Sequence, residues 1–285
     1  MKILDLYQNT VERLQAADIP DAPLEITILL CHLLKISRAE LFLNEKVLLP
    51  ETLDEFEKLV CRRLRREPIS YILGEHEFWS LPFTVTPDVL IPRPETEIMI
   101  EIVLQIVKNS EKAYPGSILD IGTGSGAIAI ALARELPEAT VFALDLFHDA
   151  LRIAAHNAKR HKCGDRVHLL QSDLLRGIRG QPLFDLVVSN PPYVARNDLA
   201  ALQPEIAFEP RSALDGGKMG METIERLAHQ VWPVLKPGGW FFMEIGAEQS
   251  ELVKAAFSSL SFENLAVYKD YGGLPRIFQA RKLSH

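Results

Sequence analysis

The sequence has few cysteines, no long apolar run and no excess of positive charge. Its three cysteines, Cys31, Cys61 and Cys163, lie far apart and form no C-x-x-C pair, so neither a disulfide framework nor a metal site is predicted. The longest unbroken apolar run covers residues 127–133, which is far too short to span a bilayer. Residues 1–21 mix charged with apolar side chains and lack the apolar centre of a signal peptide. These absences predict a soluble cytoplasmic protein with no membrane partner.

The charge balance is acidic, with 38 Asp and Glu residues against 31 Lys and Arg residues and a formal net charge of −7. Proteins that bind nucleic-acid backbones usually carry clustered basic residues, because the phosphates must be neutralised. We therefore expect no direct nucleic-acid partner. The fractions of 47% hydrophobic and 24% charged residues are ordinary for a globular protein and exclude wholesale disorder, collagen and coiled coil.

The length of 285 residues is about twice that of a typical single domain and favours two domains. In residues 1–74, apolar side chains recur at helical spacing, for example at Leu4, Tyr7, Val11 and Leu14, which predicts a small helical bundle. This part contains no motif for chemistry and is interpreted as a docking domain. Residues 75–94 combine aromatic residues with prolines and predict a hairpin linker.

The region 95–285 begins with a predicted helix over residues 98–107, for which Glu95 or Thr96 is a candidate N-terminal cap. Short apolar runs then alternate with helical stretches. Strands are predicted over residues 118–121, 141–144, 167–170, 183–188, 240–245, 266–269 and 276–280, with helices over 127–136, 150–162 and 222–235. Alternating strands and helices imply an α/β domain with a doubly wound, mostly parallel sheet of seven strands. The last two strands have no helix between them, which predicts antiparallel pairing.

A glycine-rich turn follows the first strand of this region and opens a helix. It consists of Gly122, Thr123, Gly124, Ser125 and Gly126. Glycines at such a turn let the backbone approach a ligand closely, and N–H groups at the helix start point into the crevice. Asp145 ends the next strand, 23 residues after Gly122, where a carboxylate accepts hydrogen bonds from both hydroxyls of a ribose. The turn and Asp145 together predict a site for an adenosine-containing cofactor.

Two features favour S-adenosylmethionine, although the turn also fits the dinucleotide pattern G-x-G-x-x-A. Asp120 precedes the turn, where a carboxylate suits the methionine ammonium and repels a pyrophosphate; a hydrogen bond to the turn is its alternative role. The G-x-G-x-G alternation is also typical of methyltransferases. Asp173 ends the third strand, where it is predicted to accept the adenine amino group while Leu174 packs on the base. A helix cap is the alternative role for Asp173.

A second candidate site, Asn190-Pro191-Pro192-Tyr193, follows the strand over residues 183–188. Consecutive prolines fix φ and remove two backbone donors, which leaves carbonyl oxygens and the Asn190 side chain as acceptors. Such a turn suits a planar –NH2 group, with one hydrogen on the Asn190 side-chain oxygen and the other on the Pro191 carbonyl. Tyr193 is expected against the flat face of the substrate. The motif therefore predicts methylation of an amide or exocyclic amine nitrogen.

These motifs resemble those of the protein glutamine-N5 methyltransferases that modify peptide chain release factors, the HemK/PrmC-like family. The resemblance covers nearly the whole chain. Its segments are residues 71–75, 77–79, 91–97, 120–126, 190–193 and 208–214. Asn-Pro-Pro-Tyr is shared with DNA adenine and rRNA guanine methyltransferases, whereas the segment 91–97 is much more specific.

The resemblance implies a class I S-adenosylmethionine-dependent methyltransferase fold. It also implies methyl transfer to the side-chain amide nitrogen of the glutamine in the Gly-Gly-Gln loop of class I release factors, with S-adenosylhomocysteine as the other product. By the same resemblance, residues 122–126, Asp145, Leu174 and Asn190 bind the cofactor, and residues 190–193 hold the glutamine. The amino-terminal bundle docks the release factor. Some members carry an aromatic residue where Leu174 stands. We expect a monomer.

Three other functions remain compatible with parts of the sequence. The Asn-Pro-Pro-Tyr motif also fits a DNA or RNA amino-group methyltransferase, and the glycine turn also fits a nicotinamide-dependent oxidoreductase. The third is a non-catalytic, cofactor-bound docking module for translation proteins. Salt-dependent binding to nucleic acid would favour the DNA or RNA methyltransferase. Stabilisation by NADH would favour the oxidoreductase, and full function without the Asn190 side chain would favour the docking module.

Overall fold

A computed structural model describes residues 2–43, 47–108 and 116–284; the predicted outer domain limits, residues 1 and 285, lie outside these ranges. The chain divides into two compact units. The first unit is Met1–Glu75 with Gln203–Phe208, and the second unit is His76–Leu202 with Glu209–His285. The predicted hairpin linker thus belongs almost entirely to the second unit. Residues 203–208, predicted in the methyltransferase domain, belong to the first.

The first unit is the helical bundle predicted from the periodicity. Its helices are α1 (Ile3–Ala16), α2 (Ala22–Leu34), α3 (Arg38–Leu43), α4 (Pro50–Leu64) and α5 (Ile69–Leu73). Prolines stand in the first turn of α2 and α4, where the missing N–H costs no helical hydrogen bond. Ile26, Leu29, Leu30 and Phe56 are fully buried in one apolar cluster, which holds the helices together.

Ion pairs of Arg63 hold the segment Gln203–Phe208 within the first unit. The Arg63 side chain is only 3% exposed, and its Nε donates to Glu25 Oε2 at 2.6 Å while its Nη1 donates to Glu205 Oε1 at 2.9 Å. Arg66 Nη2 donates to Glu205 Oε2 at 3.0 Å. A buried guanidinium is tolerated because carboxylates compensate its charge. No sequence pattern predicts these pairs, since their partners lie far apart along the chain.

The hairpin consists of β1 (Glu75–Phe78) and β2 (Leu81–Thr84). Trp79 and Ser80 connect the strands, both with positive φ, as in the two-residue turns that match strand twist. Phe78 and Phe83 are buried in the main core of the second unit. The hairpin therefore packs as part of that unit and does not stand apart as a linker.

The second unit is an α/β sandwich around a seven-stranded sheet. Its strands are β3 (Ser117–Ile121), β4 (Thr140–Asp145), β5 (Val167–Gln171), β6 (Phe184–Ser189), β7 (Leu235–Glu244), β8 (Phe262–Lys269) and β9 (Pro275–Lys282). Its helices are α6 (Pro94–Lys108), α7 (Ala127–Glu135), α8 (His148–Arg160), α9 (Glu222–Val234) and α10 (Ser250–Ser258). Short 3-10 helices cover Leu199–Ala201 and Arg211–Ala213 in this unit, and Pro204–Phe208 in the first unit.

The strand order is β5-β4-β3-β6-β7-β9-β8, with β3 to β7 parallel and β9 antiparallel to both neighbours. The predicted mostly parallel sheet and its antiparallel end are thus confirmed. Alternate residues face opposite sides of the sheet: Phe242 lies in one buried cluster, whereas Phe241 and Met243 lie in the other. Both faces are therefore covered, which explains the nearly continuous apolar strands.

The strand order reverses between β3 and β6. From β3 the chain builds outward through β4 and β5, and then returns to β6 on the other side of β3. Ligands of open α/β sheets bind outside the carboxyl ends of the strands at such a reversal. Because Ile121 pairs with Ser189, Gly122 and Asn190 leave the sheet side by side at this point.

Within residues 2–43, 47–108 and 116–284, no helix combines the length and apolar character needed to cross a bilayer.

Candidate active site

A cavity of about 430 Å³ opens at the carboxyl ends of β3, β4, β5 and β6 in the second unit. This volume lies in the range of small-molecule sites. Residues from both predicted motifs line it, together with the acids that end the intervening strands. They are Gly122, Thr123, Gly124, Ser125, Asp145, Asp173, Leu174, Asn190 and Pro192. The fold therefore brings together most of the residues predicted to bind cofactor and substrate.

Asp145 fastens the glycine turn to the end of β4. Its Oδ2 accepts a hydrogen bond from the Gly124 N–H at 2.9 Å, and its Oδ1 accepts one from the Phe147 N–H at 3.0 Å. Burial raises the pKa of Asp145, although these backbone donors favour its charged form. Each carboxylate oxygen has further acceptor capacity. Asp145 lines the cavity with acceptors for hydroxyl groups.

Asp120 stabilises the glycine turn through a buried hydrogen bond with Thr123. It is fully buried, and its Oδ2 accepts a hydrogen bond from the Thr123 hydroxyl at 2.7 Å. Burial raises its pKa to about 7, against the effect of the Thr123 hydrogen bond. Among the described residues, Asp120 is absent from the cavity lining, whereas its neighbour Ile121 contributes to it. The structure thus shows the alternative role, hydrogen bonding to the turn; contact with a ligand ammonium stays a prediction.

Gly126 lies behind the turn, at the N-terminal cap of α7, and does not line the cavity in the described parts of the chain. Its φ is +83°, and a Cβ there would approach Ile130 Cδ1 to 3.1 Å and the Ala154 Cβ to 3.2 Å. Glycine is required because it allows this φ and the close packing of α7 on α8. Gly126 therefore shapes the turn, and its predicted cofactor contact stays a prediction.

Asp173 and Leu174 both line the cavity. Asp173 Oδ1 accepts a hydrogen bond from Arg226 at 2.6 Å, and its Oδ2 lies 3.4 Å from Arg176 Nη1. No helix begins at Asp173, so the predicted helix cap is wrong; a turn follows it, with Leu174 at φ +51°. The adenine contact of Asp173 stays a prediction, with two guanidinium groups competing for the same carboxylate.

The Asn-Pro-Pro-Tyr turn is held close above the glycine turn. Ser189 Oγ donates to the Ile121 carbonyl at 2.8 Å and ties the end of β6 to β3. The Asn190 carbonyl oxygen lies 4.0 Å from the position that a Cβ on Gly122 would occupy. At the far end of the turn, Gln249 Nε2 donates to the Tyr193 carbonyl at 2.9 Å. The backbone of the motif is therefore fixed at both ends.

The Asn190 side chain is oriented by a residue outside its motif. Asn190 Nδ2 donates to Thr96 Oγ1 at 3.2 Å. Asn190 Oδ1 and the Pro191 carbonyl accept no hydrogen bond from the described residues. Asn190 and Pro192 line the cavity, whereas Pro191 does not contribute to its described lining. Asn190 thus offers a free acceptor where a substrate –NH2 group is predicted.

Tyr193 does not contribute to the described lining of the cavity and packs against the apolar cluster that contains Phe241 and Met243. Its hydroxyl donates to Glu244 Oε1 at 3.0 Å. Burial raises the pKa of Tyr193, and the neighbouring charge of Glu244 adds to the effect. The predicted contact with the flat face of the substrate stays a prediction. The observed role is to anchor the end of the motif.

The sequence did not single out Glu244 or Gln249, and it assigned Thr96 a different role. Thr96 lies inside α6, which begins at Pro94, and its hydroxyl donates to Glu244 Oε2 at 2.5 Å. Glu95 also lies inside α6, so the predicted N-terminal cap by Glu95 or Thr96 is wrong. Glu244 ends β7 and is 1% exposed. Burial raises its pKa, while the hydroxyls of Thr96 and Tyr193 and the charge of Arg276 oppose this shift. The only sequence signal was its place at a strand end.

Two segments that carry the family resemblance meet through an ion pair. Arg93 Nη2 donates to Glu209 Oε1 at 2.6 Å, and the Glu209 side chain is 2% exposed. Burial raises the pKa of Glu209, whereas Arg93 opposes this. An isolated parallel β-bridge between Val194 and Asp215 also joins the two ends of the segment 194–215, which follows Tyr193. Both segments contribute to the cavity lining, through Pro92 and Thr96 from the first and Pro210, Ser212 and Ala213 from the second.

Comparison with solved structures defines the fold class as that of the class I methyltransferases. A methyltransferase from Pyrococcus furiosus is 19% identical and aligns with a TM-score of 0.54 over 72% of this chain and 91% of that protein. The N-terminal domain of human METTL16, solved in complex with SAH, is 18% identical and aligns with a TM-score of 0.52 over 70% of this chain and 75% of that protein. The model of the methyltransferase small domain matches residues 101–221.

Similarity to curated proteins identifies the family more closely. The release factor glutamine methyltransferase of Koribacter versatilis is 40% identical over 284 residues, which cover 99% of both proteins. That of Geobacter sulfurreducens is 42% identical over 92% of this chain and 90% of that protein. The model of the PrmC N-terminal domain matches residues 5–74. The chain belongs to the release factor glutamine methyltransferase family.

Proposed function

We propose that this protein transfers a methyl group from S-adenosylmethionine to the side-chain amide nitrogen of the glutamine in the Gly-Gly-Gln loop of class I peptide chain release factors. The observation that carries the proposal is the juxtaposition of the Gly122 turn with Asn190 at one cavity, with Asn190 Oδ1 free to accept a hydrogen bond. The full-length similarity to release factor glutamine methyltransferases supports this choice among amino-group substrates.

The residues that line the cavity fit S-adenosylmethionine. The Asp145 carboxylate suits the two ribose hydroxyls because it is anchored by two backbone donors and keeps acceptor capacity. Leu174 offers an apolar surface for the adenine. The Asn190 carbonyl oxygen lies close to Gly122 of the glycine turn, and an electronegative oxygen there suits an ammonium and not a pyrophosphate. A nicotinamide dinucleotide therefore fits this site less well.

The chemistry follows from the acceptors of the Asn-Pro-Pro-Tyr turn. Bound S-adenosylmethionine supplies the electrophilic methyl group. A carboxamide nitrogen delocalises its lone pair and is a poor nucleophile. Asn190 Oδ1 and the Pro191 carbonyl accept its two N–H groups, hold the nitrogen in place and stabilise the positive charge that develops on it. The methylated nitrogen then loses a proton to water, so the site needs no dedicated base.

The first unit is proposed to dock the release factor. It is a helical bundle in which sequence analysis finds no motif for chemistry. Exposed apolar side chains on it include Leu24, Leu43 and Leu49, and their burial against another protein would be favourable. Docking by one unit and chemistry in the other would separate substrate selection from catalysis.

Mass spectrometry tests the proposed function. The purified protein is incubated with S-adenosylmethionine and a class I release factor, and the Gly-Gly-Gln peptide is analysed. We expect one added methyl group on the glutamine side chain, and none when that glutamine is replaced by alanine. Methylation of DNA or RNA in place of the release factor, or no methylation beside an active control enzyme, would contradict the proposal.

Asp145→Ala is expected to weaken binding of S-adenosylhomocysteine about tenfold, because hydrogen bonds to a charged acceptor contribute roughly 1.5 kcal/mol or more. Isothermal titration calorimetry measures the dissociation constant. Asp149→Ala is the matched control, since Asp149 is exposed and forms an ion pair with the exposed Arg152 on the surface of α8. The affinity of this variant should equal that of the wild type. Equal affinities of the two variants, or tighter binding of NADH than of S-adenosylhomocysteine, would argue against the assigned cofactor site.

A further inference from the structure

We propose that Thr96 and Glu244 are positioning residues, which set the amide of Asn190 so that its oxygen faces the substrate. The proposal rests on the function proposed above and adds two residues to its site. Neither belongs to the glycine turn or to the Asn-Pro-Pro-Tyr motif. They come from the first turn of α6 and the carboxyl end of β7.

The three side chains form one continuous hydrogen-bonded chain. Asn190 Nδ2 lies 3.2 Å from Thr96 Oγ1, and Thr96 Oγ1 lies 2.5 Å from Glu244 Oε2. The other carboxylate oxygen of Glu244 accepts the Tyr193 hydroxyl at 3.0 Å. Thr96 is 4% exposed and Glu244 is 1% exposed. Because Thr96 and Glu244 are nearly inaccessible to solvent, they depend on each other for hydrogen bonds, and the loss of one leaves its partner unpaired.

The direction of each hydrogen bond follows from the chemistry of the groups. Two hydroxyl donors and the charge of Arg276 favour the ionised form of Glu244 against the effect of burial. An ionised carboxylate only accepts hydrogen bonds, so the Thr96 hydroxyl donates its single hydrogen to Glu244 Oε2. Thr96 Oγ1 then faces Asn190 with lone pairs alone. The side of the Asn190 amide that meets Thr96 must therefore be the –NH2 group, which leaves Oδ1 on the opposite side.

This orientation decides whether the site accepts a carboxamide. With Oδ1 toward the substrate, Asn190 accepts one N–H of the –NH2 group that is to be methylated. With the amide turned over, two –NH2 groups would face each other, and neither could accept. The carboxylate of Glu244 thus acts on the substrate through Thr96, without touching it. It also fixes Tyr193, so one buried acid holds both ends of the motif.

Thr96→Val tests the inference, because valine keeps the shape of threonine and removes the hydroxyl. We expect kcat to fall about tenfold, since the productive amide orientation then leaves a buried –NH2 group without an acceptor. The dissociation constant of S-adenosylhomocysteine should change less than twofold. Thr96→Ser, which keeps the hydroxyl, should retain kcat within about threefold. Rates are expressed per S-adenosylhomocysteine-binding site, so that unfolded molecules do not count.

Thr10→Val is the matched control. Thr10 is equally buried, but its hydroxyl donates to the Leu6 carbonyl within α1, so kcat should equal that of the wild type. Equal kcat values for Thr96→Val and Thr96→Ser would overturn the inference. A loss in Thr96→Val that appears only as weaker cofactor binding would overturn it as well, because it would indicate a general disturbance of the cavity.

A second readout does not depend on the methylated substrate. The side-chain –NH2 resonance of Asn190, identified by its loss in Asn190→Ala, should show faster rotation and hydrogen exchange in Thr96→Val than in Thr96→Ser. Unchanged exchange in Thr96→Val would overturn the inference even in an active enzyme. If the wild type failed to methylate release factors, the proposed function would fail, and this resonance would still decide the role of Thr96.

Discussion

Asn190→Ala is expected to lower kcat for release factor methylation at least ~100-fold, by analogy with the loss of one positioned hydrogen-bonding group at a developing charge. The alanine variant removes Oδ1, the acceptor that holds one N–H of the carboxamide. It keeps the Asn190 carbonyl, which lies close above Gly122. We therefore expect the affinity for S-adenosylhomocysteine to change far less than kcat. Single-turnover methylation at saturating cofactor measures the chemical step.

Gln181→Ala serves as the control for Asn190→Ala. Gln181 carries a carboxamide on an exposed loop ahead of β6, so its removal should leave kcat unchanged. A rate of Asn190→Ala within threefold of the wild type would contradict the assigned acceptor. Full function of Asn190→Ala in translation termination would instead favour the non-catalytic docking module.

Gly220→Ala is expected to destabilise the second unit by about 3 kcal/mol and to reduce kcat as well. Gly220 has a φ of +71°, and a Cβ there would lie 2.2 Å from the Tyr193 carbonyl oxygen and 2.6 Å from Gln249 Nε2. The left-handed conformation costs alanine roughly 1 kcal/mol, and the displaced backbone adds about 1–3 kcal/mol. Because Gln249 holds the Tyr193 carbonyl, the displacement should move the Asn-Pro-Pro-Tyr turn.

Gly273→Ala separates the backbone effect from the steric effect. Gly273 has a φ of +84°, but nothing lies within 4 Å of its added Cβ, so we expect a loss of only ~1 kcal/mol and no loss of kcat. Urea unfolding followed by tryptophan fluorescence measures both variants. All three tryptophans, Trp79, Trp232 and Trp240, lie in the second unit, so the signal reports on that unit. Equal losses in the free energy of unfolding would show that the Tyr193 carbonyl moves away from the added Cβ at no cost, which would contradict the prediction.

The helical bundle and the residues of the candidate site were predicted from different kinds of sequence signal. The helical bundle followed from apolar spacing, which is a local pattern. The glycine turn and Asn190 followed from residue types that few other structures require. Tyr193 shows the limit of such signals, because its aromatic ring suggested contact with the substrate, whereas its hydroxyl bonds to buried Glu244. Asp120 shows the same limit, since its carboxylate lies beneath the turn.

The sequence by itself determined the helical bundle, the alternation of strands and helices, and the place where the two motifs meet. The spacing of apolar residues and the backbone preferences of glycine and proline determine local structure. Parallel strands then bring their carboxyl ends to one edge of the sheet. Only the tertiary structure decided which groups pair across the fold. Thr96 meets Glu244 across 148 positions and Arg93 meets Glu209 across 116. Such pairs form because buried polar groups need hydrogen-bond partners, and packing decides which groups become neighbours. This requirement produces no regular interval in the sequence, so the pairs cannot be predicted from it.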